Sequence, residues 1–256
     1  MIPSRFSEGG TVKIIAYPKN MLPGVDYAIF DDDGYAFGNS LVDLEYETLS
    51  SLSDFIEDLK SIFIRERMVQ LPETMVSHLC AYLGFFAMSG LKKYQVEKLE
   101  TDICLLIHEQ AGKVYKKFLK YQIKKTEGPN HNLQAMRDDS PGSIVAQTMR
   151  LGRVIWDTME DLEFECGINR QTEWFCPQED FLQLLATKAK KEIKKWKELI
   201  SEKPVLYAVN QISIQIAWVM GYFAYLDEKE PTRYLEFGLP LIKMYGEAGR
   251  KLRIKK

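Results

Sequence analysis

Two stretches without a single charged side chain, Thr74–Leu91 and Val205–Leu226, constrain this chain more than any other feature. Each is long enough for a helix of about five turns or more and is apolar on nearly every face, so it must be enclosed by protein or by lipid. Lipid is the poorer fit. The second stretch carries Asn210, Gln211, Ser213 and Gln215, and the first carries His78 and two serines, all costly in hydrocarbon. Both therefore read as central helices buried on most sides, with no membrane span.

Around these two helices the chain has ample material for a core: 256 residues, 46% hydrophobic and 12% aromatic. Met1–Gly10 is polar and lacks the basic and apolar regions of a secretory signal. Cys80, Cys104, Cys166 and Cys176 follow no framework spacing, which suggests reduced thiols in a reducing, intracellular compartment.

Local signals predict an all-α fold behind a short extended N-terminal arm. Thr11–Tyr17 reads as a strand closed by Pro18, and Tyr27–Phe30 and Tyr35–Phe37 flank the turn Asp31-Asp32-Asp33-Gly34 as a small β-hairpin. Ser51 with Asp54 resembles a capping box opening a helix whose apolar face is Leu52, Phe55, Ile56, Leu59, Ile62 and Phe63. Pro72 suits the first turn of the next helix and Gly90 its end, and a third helix runs from Val96 to about Lys125. The segment 126–142 is rich in Pro, Gly, Asn and Asp and reads as a linker. Beyond it come a helix from Ile144 to about Leu162 and three more opened by Pro177, Pro204 and Pro231. The expected organisation is an acidic arm at 1–45, a helical subdomain at 46–125, the linker, and a second helical subdomain at 143–256 with a basic tail. Leu83-Gly84-Phe85-Phe86-Ala87 is similar to Met220-Gly221-Tyr222-Phe223-Ala224, and Ala111-Gly112-Lys113 to Ala248-Gly249-Arg250 at the same spacing. Duplication of a helical pair would account for this, and so would chance in a helical protein using Ala and Gly.

Charge is unevenly spread beneath a formal net of −2. From Met1 to Ile62 eleven acids face four bases, whereas Ala186–Lys203 holds seven lysines against three glutamates, and Arg250–Lys256 has five bases and no acid. Lys113, Lys116, Lys117, Lys120 and Lys124 share one helical face of about 100°, where mutual repulsion disfavours the helix unless anions or acids compensate. One-signed stripes of this kind suit a polyanion, and a solvated lysine face is the plainer alternative.

Signs of catalysis are sparse. Asp157, Glu160, Asp161, Glu163 and Glu165 crowd about two turns, but no opposing acidic cluster completes a magnesium cage. Cys104, His108 and His78 could be metal ligands, without a second ligand pair of recognisable spacing. There is no Glu-x-x-His pair, Gly-rich phosphate loop or Gly-x-Ser-x-Gly elbow. The expectation is no enzyme, no cofactor and no metal.

The order of features carries a resemblance. TVKIIAYPKNMLPG at Thr11–Gly24 resembles the N-terminal arm of nucleoproteins from non-segmented negative-strand RNA viruses, and HLCAYLGFFAMSGL at His78–Leu91 looks like their first buried helix. YKKFLK at Tyr115–Lys120 and the DDSPG of Asp138–Gly142 are similar to the pneumovirus branch. SIVAQTMRLGRVIW, KAKKEIKKWKELI and FGLPLIKMYGEAG, at Ser143–Trp156, Lys188–Ile200 and Phe237–Gly249, then follow in the same order. The resemblance implies an RNA-encapsidating, self-assembling protein of virion and host-cell cytoplasm, with single-stranded RNA, copies of itself, and a viral phosphoprotein and polymerase as partners. It places RNA contacts on Arg150, Arg153, Lys188, Lys191, Lys194 and Lys195, with Lys113, Lys116, Lys117, Lys120 and Lys124 as further candidates and Trp196 and Tyr115 able to stack on bases. FGLPLIKMYGEAG resembles the hinge at which the family's second lobe begins, so an N-lobe fragment or a compact relative is expected. Two other readings stay open: an all-α adaptor or matrix-like protein that meets acidic partners or anionic membrane surfaces, and a helical metal-dependent hydrolase using Asp157, Glu160 and Asp161.

Overall fold

A computed structural model describes residues 13–16, 27–30, 36–37, 40–91, 99–121, 144–167, 178–200, 204–227 and 231–251. Among them are seven helices: α1 (Ser40–Glu66), α2 (Pro72–Gly90), α3 (Leu99–Tyr121), α4 (Ile144–Cys166), α5 (Gln178–Leu199), α6 (Pro204–Leu226) and α7 (Thr232–Lys251). The helical part is all-α. Ahead of it, Lys13–Ala16, Tyr27–Phe30 and Ala36–Phe37 (β1 to β3) pair antiparallel in sequence order. Most of the expected arm, the linker at 126–142 and the tail beyond Lys251 lie outside the described residues.

Helix ends follow local chemistry. Pro72 stands in the first turn of α2, where its missing N–H costs nothing, and the helix stops at Gly90 with the Leu91 amide bonded to the Ala87 carbonyl. α1 closes on Arg67 at φ 54°, with Met68 N–H donating to Phe63 O at 2.8 Å and Arg67 N–H to Ile64 O at 3.1 Å. This is the paired-carbonyl cap usually built on glycine. The capping box expected at Ser51 is absent, since α1 begins at Ser40 and Ser51 lies well inside it. No breaker interrupts Ser40–Ser50, so the helix runs through, and the Ser51 hydroxyl bonds back to Glu47 O at 3.0 Å.

The two charge-free helices form the centre. Every residue of α2 from Thr74 to Met88 is buried, as are eighteen residues of α6, and no helix among the described residues is long and apolar enough to cross a membrane. A chain of rings ties four helices together: Phe63 of α1 meets His78 of α2 at 5.1 Å, His78 meets Phe181 of α5 at 5.2 Å, and Phe181 meets Tyr245 of α7 at 5.2 Å. One hydrophobic cluster takes side chains from all seven helices, and a smaller one joins α3 to α6 through Val114, Phe118, Trp218, Tyr222 and Tyr225. The core is not divided between the stretches 46–125 and 143–256, because α2 packs most closely on α7 and α3 on α6.

Candidate nucleic-acid interface

The seven helices sort the lysines of α5 into two faces. Lys188, Lys191 and Lys195 share an arc of about 60°. They meet a stripe on α1 formed by Glu47, Ser51, Asp54 and Asp58. Lys188 Nζ lies 2.6 Å from Asp58 and donates to Asp54 O at 3.1 Å, Lys191 lies 3.9 Å from the Asp54 carboxylate, and Lys195 lies 2.6 Å from Glu47. Further along the same antiparallel pair, Arg65 bonds to Asp180. Acids at i, i+7 and i+11 on one helix thus neutralise bases at i, i+3 and i+7 on the other. Part of the acidic front has its basic partner within the chain, on α5.

Beside this lacing lies a hydrogen-bonded polar cluster at the edge of the core. Glu192 is buried, and its Oε1 accepts from Ser51 Oγ at 2.8 Å and from Trp196 Nε1 at 2.6 Å. Lys195 Nζ donates to Ser51 Oγ at 2.9 Å, linking the buried carboxylate to the ammonium and on to Glu47. Trp196 is fully buried and hydrogen-bonded here, so it is not presented to a ligand.

The adjoining face of α5, about 120° round the helix, is different. Lys190, Lys194 and Lys197 fall within about 60° of one another. All three are exposed. Lys194 has a side-chain exposure of 81% and a long 3.9 Å approach to Glu198, while Lys190 and Lys197 pair with no acid among the described residues. On α3, Lys116 and Lys117 are also exposed and unpaired among the described residues, and Lys113 pairs with Glu109 at 2.6 Å, which holds that carboxyl below its ordinary range. Lys124 and the side chain of Lys120 lie outside the described residues. On α4, Arg153 Nε reaches Asp157 at 3.2 Å, and Arg150 is partly exposed.

Of the predicted RNA contacts, then, Lys188 and Lys195 are turned onto α1 and mostly covered, at 15% and 26% side-chain exposure. Lys191 and Lys194 remain open to solvent. The stripes of α3 and α5 sit on helices that do not pack closely together. Sequence does not single out Lys190 and Lys197, because the basic run is nearly continuous and its phase against α1 is set by packing. The acids at 47, 54 and 58, matched against lysines at 188, 191 and 195, are the signal that could have separated the faces.

Three acids of α4 have partners elsewhere than a metal. Asp157 faces Arg153, Glu160 accepts from Trp156 Nε1 at 2.7 Å, and Asp161 accepts from Lys60 at 2.6 Å, a bond that raises the Lys60 pKa. No group of three or more His, Cys, Asp or Glu arranged for a metal occurs among the described residues. His78, Cys104 and His108 do not converge: His78 bonds through Nδ1 to Thr74 O at 2.7 Å inside the ring chain, Cys104 lies on α3, and His108 on that helix is exposed.

No family model, curated protein or solved structure matches this chain.

Proposed function

We propose that this chain is an RNA-binding nucleoprotein that coats single-stranded RNA through phosphate contacts, without reading sequence, and assembles with copies of itself. The observation that carries the reading is the solvent-facing row Lys190, Lys194 and Lys197, which pairs with none of the α1 acids among the described residues, beside the exposed Lys191 at 3.9 Å from Asp54. A row of ammonium groups repeated at each helical turn meets a flexible polyanion by charge alone. The order of family-like segments along the chain supports the encapsidating role. The hydrolase reading lacks comparable support, since Asp157, Glu160 and Asp161 are engaged by Arg153, Trp156 and Lys60.

The test is binding of unrelated single-stranded RNAs over a series of salt concentrations. Replacing Lys190, Lys194 and Lys197 by Ala should weaken all sequences alike and flatten the slope of log K against log salt by about 2, at roughly 0.7 per lost contact. Replacing Lys188 and Lys195 should leave that slope nearly unchanged. An unaltered slope in the triple variant sinks the reading, and selective binding of anionic vesicles over RNA would favour the adaptor instead.

A further inference from the structure

We propose that residues 40–121 and 178–251 are two copies of one three-helix unit, arranged about a pseudo-two-fold axis so that each copy's third helix completes the packing of the other copy's middle helix. The units are α1–α2–α3 and α5–α6–α7, with α4 between them. Their first helices bury side chains in register: Thr48, Leu52, Phe55, Leu59 and Phe63 in α1 correspond to Leu185, Ala189, Glu192, Trp196 and Ile200 in and just beyond α5. The spacing between these sets equals that between Leu83–Ala87 and Met220–Ala224 in the middle helices.

The contacts are reciprocal. α2 takes its closest neighbour, α7, from the other unit, and α6 takes α3; α1 packs on α6 as α5 packs on α2. Both close pairs run parallel. Cys80 meets Gly238, Gly84 meets Ile242, and Met88 meets Arg250, just as Ala111 and Val114 meet Gly221 while Phe118 meets Tyr225. Both also centre on matched glycines. A Cβ on Gly84 would collide with the Ile242 carbonyl, and one on Gly221 would stand 2.5 Å from Ala111 O. Gly84 against Ile242 corresponds to Gly221 against Ala111, Gly84 against Gly246 to Gly221 against Tyr115, and Phe85 against Gly249 to Tyr222 against Phe118. In this register the likeness of Ala111-Gly112-Lys113 to Ala248-Gly249-Arg250 is displaced: Gly249 abuts the Phe85 backbone, whereas a Cβ on Gly112 would meet open space. The middle helices keep both sequence and position, and the third helices keep position.

An exchange of this kind makes the halves mutually dependent, as the subunits of an intertwined dimer are. The experiment is to place a protease recognition sequence within 126–142 of the full chain and cut it. The two fragments should stay together as a one-to-one complex at micromolar concentration, with unchanged helical circular dichroism and a melting temperature that rises with concentration. Fragments that elute apart, folded or unfolded, overturn the proposal. Register is tested by single substitutions. Gly84→Ala and Gly221→Ala should each lower the melting temperature by several degrees, while Gly112→Ala leaves it unchanged or raises it, as alanine does in an open helix site. If Gly221→Ala behaves like Gly112→Ala, the matched close approach is not there and the two-copy arrangement fails.

Discussion

His78 shows how far one side chain can carry a pH dependence. It sits in the charge-free centre of α2 with its ring edge-on to Phe63 and Phe181, and burial lowers its pKa to about 4 despite the bond to Thr74 O. In the unfolded chain the imidazole titrates near its ordinary value of about 6.5. Between these two values the unfolded state takes up a proton that the native state refuses. Its contribution to stability is therefore complete above about pH 6.5 and is lost as pH falls toward 4, amounting to about 3 kcal/mol over the whole window. Urea unfolding at pH 7.5, 6 and 5 should show this decline. His78→Phe keeps an aromatic ring and removes the titration, so the pH slope between 7 and 5 should shrink. An equal slope in the variant would assign the effect to other groups.

At the scale of elements, the α1–α5 pair decides what the lysines do. Lys188 and Lys195 lie largely under α1, where desolvation sharpens their interactions, while Lys194 on the adjoining face is bathed in water. Lys195→Ala removes bonds to both Ser51 and Glu47 and leaves the buried Glu192 without its nearby cation. It should cost about 1–3 kcal/mol in denaturant unfolding, against under about 0.5 kcal/mol for Lys194→Ala. RNA binding should respond in the reverse order, weakening for Lys194→Ala more than for Lys195→Ala. A Lys194→Ala loss of stability as large as that of Lys195→Ala would mean that the two faces are not distinct.

For the molecule as a whole, the question is what lies before α1. Removal of Met1–Asn39 cuts just ahead of the first helical residue, Ser40, and keeps all seven described helices. Under the encapsidating role proposed above, such an arm docks on a neighbouring subunit. Deletion of Met1–Asn39 should reduce self-association, read by light scattering at several protein concentrations, while the helical signal stays nearly intact. Loss of the helical signal would place the arm in this chain's own core.

Much of the helical framework was legible along the chain. Thr74–Leu91 and Val205–Leu226 had to be central because, without charge on any face, no other placement hides them from water. Pro72, Gly90 and Pro204 marked helix ends through backbone restrictions that act within a turn. The capping-box reading of Ser51 failed because a serine inside a helix can also bond back to the carbonyl four residues earlier, and only the partner across the core, Glu192, shows which use is made of it. The lysines of α5 were visible as a basic run, but their division into a laced face and an open one was not. That division depends on the rotation of α5 against α1, which long-range packing around Phe63, His78 and Phe181 sets. Sequence alone determined where the chain coils and which helices must be buried, because those depend on neighbours a few residues away. Tertiary structure alone decided which helix meets which and which charges stay free, because those depend on side chains brought together from more than a hundred residues apart, such as Ser51 and Glu192.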